Sequence, residues 1–271
     1  MGLLRRVFGN EAEVLPEVAM PMSTEPVMVD LGRPQPKMPV YVIGDIHGRL
    51  DLFDEILAKI DLDIGTAEIT APVLVCVGDY IDRGEDSALV LERVKALNDA
   101  QPTQFVCLMG NHERMMLEFL HQPDRRRARW LKHGGLQTLA SFGVGGVTHT
   151  SPLAALEEAA NALRAAMPDG LEMWLRRLPK VWKSGSLVCV HAAANPALPI
   201  AEQSRHTLLW GHEDFFGMPR TDGIWVAHGH TALPNPRCEE SRISLDTGAY
   251  TSGMLSSARV LPDGSVTFLW T

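Results

Sequence analysis

Six side chains in this sequence have the chemistry to seat metal ions: Asp45, His47, Asp79, Asn111, His191 and His230. They offer carboxylate, amide and imidazole donors and no sulfur, a set that suits Mn, Fe or Zn better than a purely hard ion such as Ca. Two such ions held about 3.5–4 Å apart clamp a phosphoryl group and bring the pKa of a water between them towards about 7. A carboxylate such as Asp79 can serve both ions. One Asp or His at the end of a strand is ordinarily structural, so the signal here is recurrence. Five short apolar runs each stop at a residue of this kind, and unpartnered buried carboxylates and imidazoles are costly.

Those runs are the elements that must position the donors. Met38–Ile43 leads into Asp45 and His47, Val73–Val77 into Asp79, Phe105–Met109 into Asn111, Leu187–Val190 into His191, and Ile224–Ala227 into His228 and His230. Continuous apolar, β-branched runs of this length read as strands buried on both faces. Between them, Leu50, Phe53, Ile56, Leu57 and Ile60 form one helical stripe, and Leu89, Val90, Val94 and Leu97 another. Strands alternating with helices imply an α/β sheet, in which ligands gather at the carboxyl ends of strands. Asp45 to Asp79 spans 34 residues and Asp79 to Asn111 spans 32, but Asn111 to His191 spans 80. The excess predicts a helical insertion near 120–182 over the site, containing Leu153–Met167 and Leu171–Leu178 joined through Pro168. After residue 242, Ile243–Leu245, Ala258–Leu261 and Ser265–Trp270 read as β structure, with a hairpin turn at Asp263-Gly264.

The chain has 271 residues, 45% of them hydrophobic and 21% charged, which excludes a mostly disordered chain, a collagen-like repeat and a disulfide scaffold. Its net charge of -8 argues against a protein that covers nucleic acid backbone, but a local pocket on an acidic protein can still be cationic. Cys76, Cys107 and Cys189 sit in apolar runs and read as small buried hydrophobes; with no close cysteine pair, a reducing cytoplasm fits. Residues 1–37 hold five of the 18 prolines and read as an irregular N-terminal tail, with 38–271 as a single domain. No signal peptide, myristoylation motif or membrane span is predicted.

GDIHG at 44–48, GDYIDRG at 78–84, GNHE at 110–113, the strand-end His191 and GHT at 229–231 together resemble the phosphoprotein phosphatase branch of the calcineurin-like metallophosphoesterases. That branch includes bacterial and phage serine/threonine protein phosphatases and symmetrical bis(5'-nucleosyl)-tetraphosphatases. The resemblance implies an α/β fold, a four-layer α/β/β/α sandwich, with a dinuclear centre at the strand ends and Mn as the leading metal. It implies that Asp45 and His47 hold the first ion, Asp79 bridges, and Asn111, His191 and His230 complete the second. His112 resembles the general acid and Asp82 the carboxylate that orients it; an imidazolium so held can protonate a departing alkoxide. Arg83 and Asn111 would grip phosphate oxygens, a task for which a guanidinium is suited. The implied reaction is in-line attack by a metal-bridging hydroxide on a phosphate monoester, of a phosphorylated protein or a small molecule, with no phospho-enzyme. No nucleic acid, membrane or obligate partner is implied.

Two departures from the family pattern matter. Many bacterial relatives carry an arginine where this chain has His212, so a second phosphate clamp must come from elsewhere, with Arg220 or Arg205 as candidates. Phosphodiesterase branches usually carry a second His two positions past His230, where this chain has Ala232, and this favours a phosphatase over a nuclease. His228 reads as a supporting or packing residue. Glu113 and Arg114 read as able to orient neighbouring ligands. Arg125, Arg126, Arg127, Arg129 and Lys132 form a cationic run that reads as a solvated helix face, with a docking surface for an acidic substrate as the sharper alternative. A third reading is a non-catalytic scaffold that binds phosphate or partners, but both His112 and Asp82 are present.

Overall fold

The computed structural model describes residues 31–271. Among the described residues, ten strands form two five-stranded sheets. The first sheet, in the order β10-β9-β1-β2-β3, contains β1 (Val40–Ile43), β2 (Val73–Cys76), β3 (Phe105–Cys107), β9 (Ser256–Val260) and β10 (Val266–Trp270). The second, in the order β4-β5-β6-β8-β7, contains β4 (Val181–Ser184), β5 (Leu187–Val190), β6 (Trp225–His228), β7 (Arg237–Glu239) and β8 (Arg242–Ser244). β1, β2 and β3 run parallel, as do β5, β6 and β8, and the remaining strands join antiparallel at the edges.

Side-chain alternation along these strands sets the layers. Val40 and Val42 of β1 point into an apolar core shared with Leu187 and Cys189 of β5 and Ala227 of β6, so the two sheets pack face to face. Tyr41 and Ile43 point the other way, into a core with α1 (Leu50–Thr66) and α2 (Ser87–Ala100). On the far side of the second sheet, Val188, Val190 and Val226 meet Leu208 of α7 (Arg205–Trp210) and Phe215. The expected four layers are therefore present, and the outermost layer over the second sheet is thin. Burial on both faces explains why the strands read as unbroken apolar runs rather than as alternation.

α3 (Asn111–His121) leads into the insertion, which contains a 3-10 helix at Arg127–His133, α4 (Gly135–Ser141), α5 (Leu153–Ala166) and α6 (Leu171–Arg177). Only its first half reaches the candidate site. α5 and α6 pack on α3, with Arg164 donating to the Leu120 carbonyl and Trp174 Nε1 donating to Asn98 on α2. The short α8 (Ala249–Ser252) follows β8. Most of the expected tail lies outside the described residues. The stretch 31–37 lacks regular structure but is held by the β4–β5 hairpin, where the Gln35 and Lys37 amides donate to Ser186 and Ser184. No described helix is long and apolar enough to cross a membrane. Cys76, Cys107 and Cys189 are buried as expected.

Phe53 anchors the stripe of α1 against the first sheet and is fully buried. Phe53→Ala should lower unfolding stability by about 3–5 kcal/mol, the usual cost of a buried aromatic cavity. Denaturant unfolding measures it; a loss below about 1 kcal/mol would contradict this packing.

Candidate metal centre

All six parallel strands present a polar residue just past the carboxyl end: Asp45 after β1, Asp79 after β2, Asn111 after β3, His191 after β5, His230 after β6 and Asp246 after β8. The loops that follow are tied together by backbone hydrogen bonds. The amides of Ile46 and His47 both donate to the Asp79 carbonyl, Gly48 donates to Tyr80, and Gly84 donates back to His47. To make these turns His47, Asp79, Asp82, Arg83 and His230 all adopt positive φ, from 47° to 73°. Non-glycine residues rarely sit there, and such strain persists only where surrounding structure holds it. Gly110 and Gly229 are required for a different reason: a Cβ on Gly110 would lie 2.1 Å from Asp79 Oδ1, and one on Gly229 1.8 Å from Asp45 Oδ1.

Asp79 is the hub. Its Oδ2 lies 3.6 Å from His47 Nε2 and 3.8 Å from His112 Nε2, while its Oδ1 lies 3.4 Å from His191 Nε2 and accepts the His112 amide at 3.0 Å. Asn111 Oδ1 sits 2.7 Å from His191 Nε2 and 3.0 Å from His230 Nδ1. Two donor groups thus share one carboxylate: His47, Asp79 and His112 on one side, and Asp79, His191 and His230 on the other. His47 Nδ1 donates to the Ile81 carbonyl at 2.8 Å and His191 Nδ1 to the Val77 carbonyl at 3.1 Å, which turns each Nε2 lone pair to the centre. Metal-ligating histidines are usually oriented in this way.

The electrostatics suit cations. Burial pushes His47 down to about 3 and His191 to about 4, so both imidazoles are neutral and able to donate a lone pair. Burial raises Asp79, but His191, His112 and His47 outweigh it and hold the carboxylate below its usual range. Asp45 is pushed well up by burial, with the charges of Asp246 and Asp79 adding to it. Its Oδ2 accepts the His230 amide, while its buried Oδ1 has no hydrogen-bond partner. A buried oxygen without a partner, among crowded carboxylates and neutral imidazoles, fits divalent metal and would be costly otherwise.

His112 stands apart from the other imidazoles. Its Nδ1 lies 2.6 Å from Asp82 Oδ2; burial disfavours its charged form, yet Asp79 and Asp82 overcome that and raise its pKa. Asp82 in turn accepts from Trp130 Nε1 at 2.7 Å and from Thr138 Oγ1 at 2.5 Å, both supplied by the insertion. Arg83 lies 3.4 Å from His112 Nε2 and stacks its guanidinium 4.5 Å above the Tyr250 ring. The arrangement offers a proton at His112 Nε2 and a cation at Arg83 beside the clustered donors. Trp130→Phe removes one charge-assisted bond from Asp82, so kcat should fall on the order of tenfold with metal content unchanged. An unaltered kcat would show that Asp82 does not depend on this contact.

The structure brings together Asp45, His47, Asp79, Asp82, Arg83, Asn111, His112, His191 and His230. It does not bring Arg220. That side chain is buried, donates to the carbonyls of Asn195 and Leu198, and pairs with Asp222, so its guanidinium braces loops of the second sheet instead of clamping phosphate. Arg205 is exposed on α7. His212 lines a cleft of about 380 Å³ with His230 and Trp210. Glu113 is more than a neighbour of ligands: its carboxylate accepts the amides of Asp79, Tyr80 and Gly110, stapling the β2 loop to the start of α3. Arg114 instead faces solvent and pairs with Glu118. His228 is a supporting residue, with Nδ1 donating to the Gly229 carbonyl and Nε2 accepting from Ser244. Sequence reasoning missed Trp130, Thr138, Tyr250 and Asp246; of these, Asp246 obeys the same strand-end rule and was findable.

A family model described as calcineurin-like phosphoesterase matches residues 38–243. The chain belongs to the calcineurin-like phosphoesterases. Members of this family are metal-dependent hydrolases, and the chain is a metallophosphoesterase with a site for a dinuclear centre. It is 26% identical over 231 residues to serine/threonine-protein phosphatase 1 of Salmonella typhimurium, covering 82% of this chain and 91% of that one. It is 29% identical over 165 residues to a symmetrical bis(5'-nucleosyl)-tetraphosphatase of Nitrosospira multiformis, covering 61% of this chain and 47% of that one. Among solved structures, a Saccharomyces cerevisiae protein serine/threonine phosphatase has a TM-score of 0.52 at 16% identity over 87% of this chain and 80% of that one. A cold-active protein-tyrosine phosphatase of a Shewanella species has a TM-score of 0.51 at 17% identity, over 89% and 84%. The expected architecture and the expected family both stand.

Proposed function

We propose that this calcineurin-like phosphoesterase is a phosphomonoesterase of the serine/threonine protein phosphatase type, with 38–271 as its catalytic domain and a reducing cytoplasm as its setting. The observation that carries the reading is the His112–Asp82 pair beside Asp79, with Arg83 next to it. Asp45, His47 and Asp79 would hold one divalent ion, and Asp79, Asn111, His191 and His230 the other, with Mn favoured over Fe or Zn. When bound, the ions place positive charge on the phosphoryl oxygens and make a nucleophile of water at neutral pH. Arg83, steadied on Tyr250, orients the phosphate through its planar donor fork. His112, held through Nδ1 by Asp82, releases its Nε2 proton to the departing alkoxide. Trp130 and Thr138 keep Asp82 from turning away from that task.

The second reading, a symmetrical bis(5'-nucleosyl)-tetraphosphatase, is supported by the tetraphosphatase relatives. Mn-loaded protein incubated with a panel of phosphoserine and phosphothreonine peptides, and in parallel with diadenosine tetraphosphate, separates the two. Release of phosphate from the peptides is expected; cleavage of the dinucleotide alone would overturn the proposed reading.

A further inference from the structure

A second cationic feature lies outside the metal centre. The chain carries a net charge of -8, yet five of its 25 lysines and arginines fall within residues 125–132. Three of them, Arg126, Arg127 and Arg129, line a cleft of about 420 Å³ together with Glu118, Trp130 and Trp210, among others. The cleft adjoins the site on two sides. Trp130 in its wall donates to Asp82, and the backbone after His133 reaches Arg83, whose amide donates to the Gly134 carbonyl. Across the cleft, the Trp210 backbone neighbours His230.

The cations here are not equivalent. Arg114 is paired with Glu118 and Arg127 with Asp124. Among the described residues, Arg126 and Arg129 make no ion pair, and both are exposed. They sit on one 3-10 turn, closed by the Arg129 amide donating to the Arg126 carbonyl. In that geometry side chains three apart eclipse, and three residues rise about 6 Å. An extended peptide places alternate side chains on one face about 6.6 Å apart. Two carboxylates at alternate positions of an extended segment are therefore spaced like the backbone positions that carry these two arginines. Of the two tryptophans lining the cleft, Trp130 is buried with its N–H already engaged and Trp210 is exposed.

Building on the phosphatase reading, we propose that this cleft is a specificity subsite which binds acidic residues flanking the phosphorylated residue of a protein substrate, through Arg126 and Arg129. Neither arginine touches the donors around Asp79, so the subsite governs which substrate is held and leaves the chemistry to the centre.

The test uses fluorescein-labelled peptides in which a phosphonate analogue replaces phosphoserine, so nothing is turned over. One peptide carries Asp at alternating flanking positions and its twin carries Asn. Fluorescence anisotropy with the Mn-loaded full chain should show about tenfold tighter binding of the acidic peptide at low salt. R126E/R129E should erase that preference, and Arg129→Gln should reduce it, while kcat/KM on para-nitrophenyl phosphate stays within twofold of wild type and circular dichroism is unchanged. Equal affinities in wild type, or a preference that survives charge reversal, would overturn the proposal. So would a double variant that loses affinity for diadenosine tetraphosphate but keeps the peptide preference. If wild type fails to cleave para-nitrophenyl phosphate, the phosphatase reading falls, while the binding measurement still judges the cleft by itself.

Discussion

Asp79→Asn should strip the protein of metal and of activity together. Asp79 is the one carboxylate common to both donor groups, within 3.6 Å of His47 and 3.4 Å of His191. The three surrounding imidazoles hold it ionised, so the amide replaces a charge that the site is built around. The change also removes one of the negative charges that, with burial and Asp246, push the neighbouring Asp45 carboxyl up. Changing a mere outer partner of a metal ligand typically costs about 10–100-fold in affinity or activity, and a shared ligand should exceed that range. Metal analysis after reconstitution, read beside phosphate release, is the check. A metal-replete, active Asp79→Asn protein would contradict the shared role.

His112→Asn should give the opposite pattern, with kcat lowered roughly 10²–10⁴-fold, the usual contribution of a positioned general acid, and metal content retained. Geometry alone leaves two uses for this ring. Its Nε2 lies 3.8 Å from Asp79 Oδ2, close enough to join His47 and Asp79 around an ion. Its Nδ1, however, is 2.6 Å from Asp82, and its pKa is raised where those of His47 and His191 are depressed. A ligand must be neutral, whereas an acid must carry its proton, so the direction of the shift separates His112 from its neighbours. Loss of metal in step with activity would reassign His112 as a ligand.

Much of this site is legible in the linear sequence because its donors obey a local rule. A strand buried on both faces is an apolar run, and its carboxyl end is where a polar residue interrupts that run. Asp45, Asp79, Asn111, His191 and His230 were all exposed by that interruption, and Asp246 would have been. The supports were not visible in the same way. Trp130 and Thr138 reach Asp82 across 48 and 56 residues, through the packing of a 3-10 helix and α4 that no periodicity announces. Tyr250 acts on Arg83 from the opposite end of the chain. Arg220 shows the converse error. A charge in a sequence advertises what it could grip, while its commitment to Asp222 and two backbone carbonyls exists only in the fold. Helix α3 was overlooked because Gly-Asn-His-Glu reads as a strand end; Glu113, by accepting the Gly110 amide, makes the same four residues a helix start.

The positive φ angles at His47, Asp79, Asp82, Arg83 and His230 connect fold and chemistry. Each places a side chain where ordinary backbone would not; hydrogen bonds between the 44–48 and 79–84 loops brace the first four, and the His230 amide donates to Asp45 Oδ2. Function here thus rests on backbone geometry as much as on side-chain identity.

Six donors drawn from five strand ends are expected to seat a pair of divalent cations required for phosphate ester cleavage. The most direct test of this expectation is elemental analysis of Mn-reconstituted protein, titrated against phosphate ester turnover. Two ions per chain are expected, with turnover rising as the pair fills and collapsing on chelation. Fewer than two ions per chain, with ester cleavage undiminished, would contradict it.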